Sequence, residues 1–141
     1  MQAVRLSNTH TLVECYVHLI WTFKHREPLL SLEHLTFLKS RLFELNKQQP
    51  FALLAMGGFK DHVHCCVRLP GALSISEVAK SLKGNSIKEL RDYTNGDINA
   101  RWQRGYGAFS ISKTALPKVM EYVTYNWQRH KAKTMQDYWE L

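Results

Sequence analysis

The sequence predicts an α+β domain in which an antiparallel sheet carries two crossover helices and a third helix follows at the C-terminal end. Three observations predict it. An aromatic and β-branched run lies at 14–23, and shorter strand-length runs lie at 51–56, 62–69 and 108–112, as strands on a pleated, partly buried surface would. Stretches with apolar residues at helical spacing lie between the first and second runs and between the third and fourth. The resulting order, β-α-β-β-α-β-α, is the ferredoxin-like split β-α-β with one extra C-terminal helix. Alternate polar positions in the first strand suggest a sheet with one open face.

Each element has a local reason. Glu14 to Phe23 (ECYVHLIWTF) forms the first strand, and Pro28 lies in the turn after it. From Ser31 to Gln48, Leu32, Leu35, Leu38, Leu42 and Leu45 recur at helical spacing. Ser31 is the expected N-cap, with His34 where a capping box would place Glu. Pro50 ends this helix, Phe51 to Met56 reads as a strand, and Gly57-Gly58 as a turn or bulge. His62 to Leu69 is the third strand, stopped by Pro70-Gly71. A second helix runs from Ser74 to Tyr93, weakened at Gly84-Asn85 by about 1 kcal/mol relative to alanine. Conformation or ligand contact would explain a glycine there. Asn95-Gly96-Asp97 is a turn, and Ala108 to Ser112 a short strand. Thr114 opens a third helix reaching about Lys131, with Pro117 tolerated in its first turn.

The 141 residues fit one domain, taken as 1–141, with enough apolar side chains (45%) for a core. Nineteen Lys and Arg against twelve Asp and Glu give a formal charge of +7, with an isoelectric point near 9.5, which favours a polyanionic partner. Three cysteines, two of them adjacent, do not form a disulfide framework, and a reducing cytoplasm is expected. Met1 to Asn8 lacks the apolar stretch of a signal peptide. No run approaches the ~20 apolar residues of a membrane span, so no membrane partner is expected.

The chemistry centres on His62-Val63-His64. Strand side chains alternate with a period of two, so both imidazoles project from one face with Cα atoms roughly 6.6 Å apart, within reach of one divalent ion. Cys66 shares the face but lies about 13 Å from His62 along the strand, so Cys65 and Cys66 read as small packing residues. On the third helix, Tyr122 and Asn126 are four residues apart and share a face. They offer a phenol nucleophile and an amide oxygen ligand; an aromatic residue packed in the core has the same spacing. Beside a divalent ion and cationic side chains the deprotonated phenol is favoured. Lys80, Lys83, Lys88 and Arg91 on the second helix, and Arg101 and Arg104 around Trp102, are candidate DNA contacts. Cations would meet phosphates, and Trp102 or Tyr106 would stack on unpaired bases. The lysines equally suit a solvated helix face, and Trp102 a core position.

These motifs occur in an order that resembles one family. His62-Val63-His64 after Lys60-Asp61 is similar to the HUH motif (U is hydrophobic) of the single-tyrosine HUH transposases, a group that includes insertion-sequence transposases and REP-associated tyrosine transposases. The segment from Tyr16 to Leu29 resembles their opening strand. Ser81-Leu82-Lys83-Gly84-Asn85-Ser86 resembles the helix after the HUH strand, and Trp102 to Ser112 the segment before the tyrosine helix. Tyr122-Val123-Thr124-Tyr125-Asn126 falls on their Tyr-Ile-x-x-Gln motif, so the resemblance covers about 14–131.

The resemblance implies metal-dependent cleavage and joining of single-stranded DNA through a 5′-phosphotyrosine. Tyr122 would be the nucleophile, with His62 and His64 holding Mg²⁺ or Mn²⁺. Where the family has Gln as third ligand stands Asn126, one methylene shorter; Gln128, six residues after Tyr122, points elsewhere. Tyr125 is the rival nucleophile. The resemblance also implies a hairpin-bearing single-stranded DNA partner, a homodimer with an active site in cis or in trans, no organic cofactor, and a bacterial or archaeal cytoplasm. Two other readings compete. One is a non-catalytic hairpin DNA or RNA binding module of the same fold. The other is a two-histidine RNA phosphoesterase, for which only His34-Leu35-Thr36 has the required form, on a predicted helix.

Overall fold

The structure is a computed structural model that describes residues 11–141; the reading of Met1 to Asn8 lies outside the described residues. Strands β1 (Cys15–Thr22), β2 (Ala52–Phe59), β3 (His62–Leu69) and β4 (Gly107–Ile111) form one antiparallel sheet in the order β2-β3-β1-β4. Helix α1 (Leu32–Asn46) joins β1 to β2, and α2 (Ile75–Tyr93) joins β3 to β4. This is the predicted α+β, ferredoxin-like split β-α-β. The predicted third helix is two helices, α3 (Leu116–Thr124) and α4 (Asn126–Ala132), broken at Tyr125 (φ −104°, ψ 23°).

Both faces of the sheet are covered, which corrects the expectation of an open face. Val17, Leu19, Trp21 and Phe23 point to one side, where Leu35, Leu38 and Leu42 of α1 and Val78, Ala79, Leu82 and Leu90 of α2 close the larger core. Tyr16, Ala55, Cys66 and Ile111 point to the other, packed by Leu116, Val119, Tyr122 and Val123 of α3. The alternate polar residues of β1 are buried too: His18 is 1% and Thr22 8% exposed. Their polarity marks a lined site rather than a solvated face.

The helix starts follow the capping logic of the sequence. Ser74 and Glu77 form a capping box on α2. On α1 the box is closed by an imidazole: Ser31 N donates to His34 Nδ1 at 3.2 Å, and His34 N donates to Ser31 Oγ at 3.1 Å. Such a cap contributes about 1 kcal/mol. It also gives His34 a structural task, which removes it from the phosphoesterase reading.

Gly57-Gly58 is neither turn nor bulge. Both residues lie inside β2, and the register shift falls earlier, between Leu53 and Ala55. The glycines are there for close approach: a Cβ on Gly57 would sit 1.8 Å from the Val123 carbonyl oxygen, and one on Gly58 2.4 Å from that of His62. The missing side chain at Gly57 thus lets α3 lie directly on the sheet, and that at Gly58 lets β2 close on β3.

Candidate active site and metal centre

The β3 register places His62 and His64 on the α3 side of the sheet, opposite Thr22 and Ile20 of β1 and Phe59 and Gly57 of β2. Both are buried, at 3% and 0% exposure, and their rings lie 4.9 Å apart. Each has its Nδ1 engaged behind it. His62 Nδ1 donates to Asp61 Oδ1 at 2.7 Å, and His64 Nδ1 shares a proton with His18 Nε2 at 2.7 Å. His18 reaches it diagonally across the β1–β3 pair, stacked at 5.0 Å. With each Nδ1 held, both Nε2 atoms turn to one point, as second-sphere partners orient metal-binding histidines.

At that point lies Glu140, from the segment after α4. Its Oε1 is 3.1 Å from His62 Nε2, 3.2 Å from His64 Nε2 and 3.2 Å from His130 Nε2. Its Oε2 accepts from Asn126 Nδ2 at 3.0 Å and from the Tyr122 hydroxyl. Asn126 Oδ1 accepts from His62 Nε2 at 3.2 Å. The break at Tyr125 starts a new helix at Asn126, and the short amide still reaches His62. Tyr122 is fully buried; its oxygen also accepts from Gln136 N at 3.0 Å, and the Arg129 guanidinium lies 5.1 Å from its ring centre. Tyr125, the rival, is 54% exposed and turned outward.

Charge is unevenly held. Burial opposes protonation of His62, but Asp61 and Glu140 overcome it and raise its pKa to about 9. Burial pushes His64 down to about 4 and His18 to about 3. Burial opposes the charge of Glu140, yet the three imidazoles hold its carboxyl well below the usual range. Burial and the Glu140 carboxylate raise the Tyr122 phenol above its usual value. This corrects the expectation that the deprotonated phenol is favoured: with Glu140 in place the nearest charge is negative. Cys65 and Cys66 are buried thiols outside the cluster, as expected; burial alone brings Cys66 to about 12.

The residues fit a divalent ion. Two imidazoles with oriented Nε2 atoms, an amide oxygen and, unanticipated, a third imidazole and a carboxylate face one space. His62, His130 and Glu140 offer ligand atoms within 4.8 Å of one another. The neighbouring cleft, of about 370 Å³, is bordered by Arg26, Lys60 and Asp61.

The predicted DNA contacts divide. Lys80, Lys88, Arg101 and Arg104 are at the surface. Lys83 Nζ donates to the carbonyls of Gln103 and Gly105 at 2.9 and 2.7 Å, and Arg91 Nη2 to that of Ala100 at 2.9 Å. Trp102 stacks on Phe23 at 4.4 Å and donates from Nε1 to Lys83 O and Ser86 Oγ. These three therefore serve first to fasten the segment 100–105 to α2. Gly84 lines a second cleft, of about 380 Å³, with Lys80, Lys83, Trp102 and Tyr106. A Cβ there would meet nothing within 4 Å, so no internal packing requires the glycine.

Sequence reasoning missed His18, Asp61, Arg26, His130 and Glu140. His130 alone carried a usable signal, since Tyr122, Asn126 and His130 recur every four residues. Glu140 carried none: only the path of the C-terminal segment brings it back.

A tyrosine beside an oriented His-x-His pair on one face of an antiparallel sheet restates in space the order of motifs in the chain. The model of the family described as "Transposase IS200 like" matches residues 11–126. The chain belongs to the IS200-like transposase family. Among curated members it is 25% identical over 114 residues to the ISDra2 transposase TnpA of Deinococcus radiodurans, covering 75% of this chain and 79% of that one. It is 25% identical over 131 residues to the transposase for insertion sequence element IS200 of Salmonella typhimurium, covering 89% and 85%. Among solved structures, a protein described as a transposase from Deinococcus radiodurans R1 superposes with a TM-score of 0.66 at 22% identity, over 90% of this chain and 98% of that one. A REP-associated tyrosine transposase bound to a REP hairpin superposes with a TM-score of 0.56 at 19% identity, over 96% and 76%. The family ties the chain to DNA transposition, and the solved structures share its fold.

Proposed function

We propose that the protein is a single-tyrosine nuclease and strand transferase for single-stranded DNA, acting in transposition or a domesticated equivalent of it. One observation carries the reading: a single carboxylate, Glu140, bonds the Tyr122 hydroxyl through one oxygen and the His62 and His64 imidazoles through the other. A phosphodiester has two non-bridging oxygens at similar spacing, so a backbone phosphate in that place would touch the same groups.

In this mechanism Tyr122 Oη attacks phosphorus and the bond to the 3′ oxygen breaks. The phenol gives up a proton and the departing 3′ oxygen gains one. The 5′ phosphate stays on Tyr122, and attack by a 3′-OH reverses the step. The count of phosphoester bonds is unchanged, so no external energy source is needed. Mg²⁺ or Mn²⁺, when bound by His62, His64 and the groups beside them, would supply Lewis-acid polarisation of the phosphate. Asp61 and His18 hold the imidazoles in orientation, and Arg26 and Lys60 flank the approach as cations. Since Glu140 already bonds Tyr122, residues 134–141 must withdraw before a phosphate can enter.

The structural neighbour solved with a REP hairpin supports a hairpin-bearing single strand as partner. Lys80, Lys88, Arg101 and Arg104 are the cations of the predicted set exposed at the surface of the described residues, and the cleft at Gly84 and Tyr106 suits an unpaired base. The competing reading, a binding module, is favoured by the raised Tyr122 phenol and the carboxylate seated over it.

The test is a covalent-adduct assay with labelled hairpin DNA, a single-stranded flank and Mn²⁺. The wild type should form a denaturant-resistant adduct. Tyr122→Phe should abolish it while hairpin affinity stays within about threefold, because one neutral hydroxyl at a single phosphate adds little to affinity set by many cation–phosphate contacts. Binding without any adduct would leave the binding module; an adduct surviving in Tyr122→Phe would move the nucleophile to Tyr125.

A further inference from the structure

We propose that Arg26 holds a backbone phosphate next to the scissile one, so that the strand is gripped at two consecutive phosphates. The proposal rests on the nuclease reading for the scissile position and adds the residue that takes its neighbour. The C-terminal segment marks both places with oxygen acceptors on consecutive residues. The Glu140 carboxylate meets Tyr122, His62 and His64, and the main-chain oxygen of Leu141 accepts from Arg26 Nη2. A strand with a phosphate in place of that carboxylate carries its next phosphate along the same cleft, where Arg26 and Lys60 are the lysine and arginine side chains of the lining.

Arg26 is built into the site. Asp61 ties it to the histidine pair: its Oδ1 accepts from His62 Nδ1 at 2.7 Å, and its Oδ2 lies 3.6 Å from Arg26 Nη1. The backbone is equally specific. His25 (φ 62°) and Arg26 (φ 51°) are consecutive left-handed residues, though neither is glycine. Lys24 N donates to Arg101 O at 2.8 Å, and Arg26 N to Phe23 O at 2.9 Å, which fixes the turn. Left-handed backbone at such residues persists only where the surroundings hold it, and it concentrates at functional sites. Here it brings the guanidinium from the end of β1 to the Asp61–His62 corner of β3.

The side-chain chemistry fits a phosphate. A guanidinium carries several N–H donors in a planar fork. Arg26 can therefore keep Asp61 on Nη1 and give Nη2 to a phosphate oxygen once Leu141 withdraws. The side chain is half exposed, so a strand in the cleft can reach it. A charge-assisted bond to phosphate is also stronger than one between neutral groups. Lys60 instead sets its Nζ over the Phe59 ring, 5.5 Å from the centroid, and an ammonium lacks the fork.

The test is a double-mutant cycle between protein and DNA, using the full chain, hairpin DNA with a single-stranded flank, and Mn²⁺. A neutral methylphosphonate replaces the flank phosphates one at a time. Adduct rate at subsaturating DNA and the dissociation constant are both measured for the wild type, Arg26→Ala and Arg26→Lys, with folding checked by circular dichroism. In the wild type, replacement at one of the two phosphates beside the cleaved one should slow adduct formation about tenfold. Arg26→Ala should lose about as much on the unmodified strand and no more on the modified one, and Arg26→Lys should recover part of the loss. No wild-type loss at either neighbouring phosphate would overturn the proposal. So would equal losses in wild type and Arg26→Ala, which would leave Arg26 as a structural partner of Asp61. If Arg26→Ala misfolds, Arg26→Lys takes its place in the cycle. A normal adduct without the coupling removes the Arg26 contact alone. If no strand forms an adduct, the nuclease reading falls, and the same cycle read in dissociation constants decides the contact.

Discussion

His62 and His64 are chemically identical and two residues apart, yet their surroundings pull their proton affinities in opposite directions. Both lose solvation; only His62 has a carboxylate on each ring nitrogen. The sign of the pH dependence follows by linkage. His62 is raised to about 9, so its contribution to the metal-free fold is full below about 6.5 and fades as pH rises through about 9. His64 and His18, lowered to about 4 and about 3, act the other way. Their neutral forms fit the fold, so stability falls as pH drops from about 6.5 toward those values. Denaturant midpoints of the metal-free protein should therefore peak near pH 6.5 and fall on both sides. A midpoint that keeps rising from pH 6.5 to 9 would contradict the His62–Asp61–Glu140 arrangement.

Among the elements, α3 and the C-terminal segment shape the site between them. Gly57 lets α3 approach: a methyl group 1.8 Å from the Val123 carbonyl could be accommodated only by displacing backbone, at a cost of about 1–3 kcal/mol. The segment from Thr134 onward then closes the cleft with Trp139 against the Tyr122 ring at 4.8 Å and Glu140 on its hydroxyl. A chain ending at Lys133 should expose Tyr122. If the open form is about 10% of the population or less, adduct formation at saturating Mn²⁺ should accelerate about tenfold or more. An unchanged rate would show that the segment already stands clear when DNA binds.

For the whole molecule, the sheet separates two tasks. One face, under α1 and α2, is apolar core; the other carries the imidazoles and the tyrosine helix. Lys80 and Lys88 ride on the helix of the first face, so DNA held there must pass around the sheet to reach Tyr122. The chain by itself brings Tyr122 to His64, with ring centres 6.0 Å apart, so under the proposed function the two would work together in cis. Mixing Tyr122→Phe with His62→Ala should then give no adduct. Recovery of adduct in the mixture would show that a dimer exchanges its tyrosine helices.

Much was settled by the sequence alone, because local spacing is a local property. Strand alternation put His62 and His64 on one face, helical spacing put Tyr122 beside Asn126, and the Ser31 cap set the start of α1. Motif order was enough to suggest the family. What spacing could not carry was anything that depends on where separate elements meet. The second covered face of the sheet, the use of Gly57-Gly58 for close approach, and the anchoring of Arg91 and Trp102 are long-range packing outcomes. Glu140 is the extreme case: 76 residues separate it from His64. A lone acidic residue near a chain end has no periodicity to read. Only the folded path of residues 134–141 seats its carboxylate among three imidazoles and a phenol.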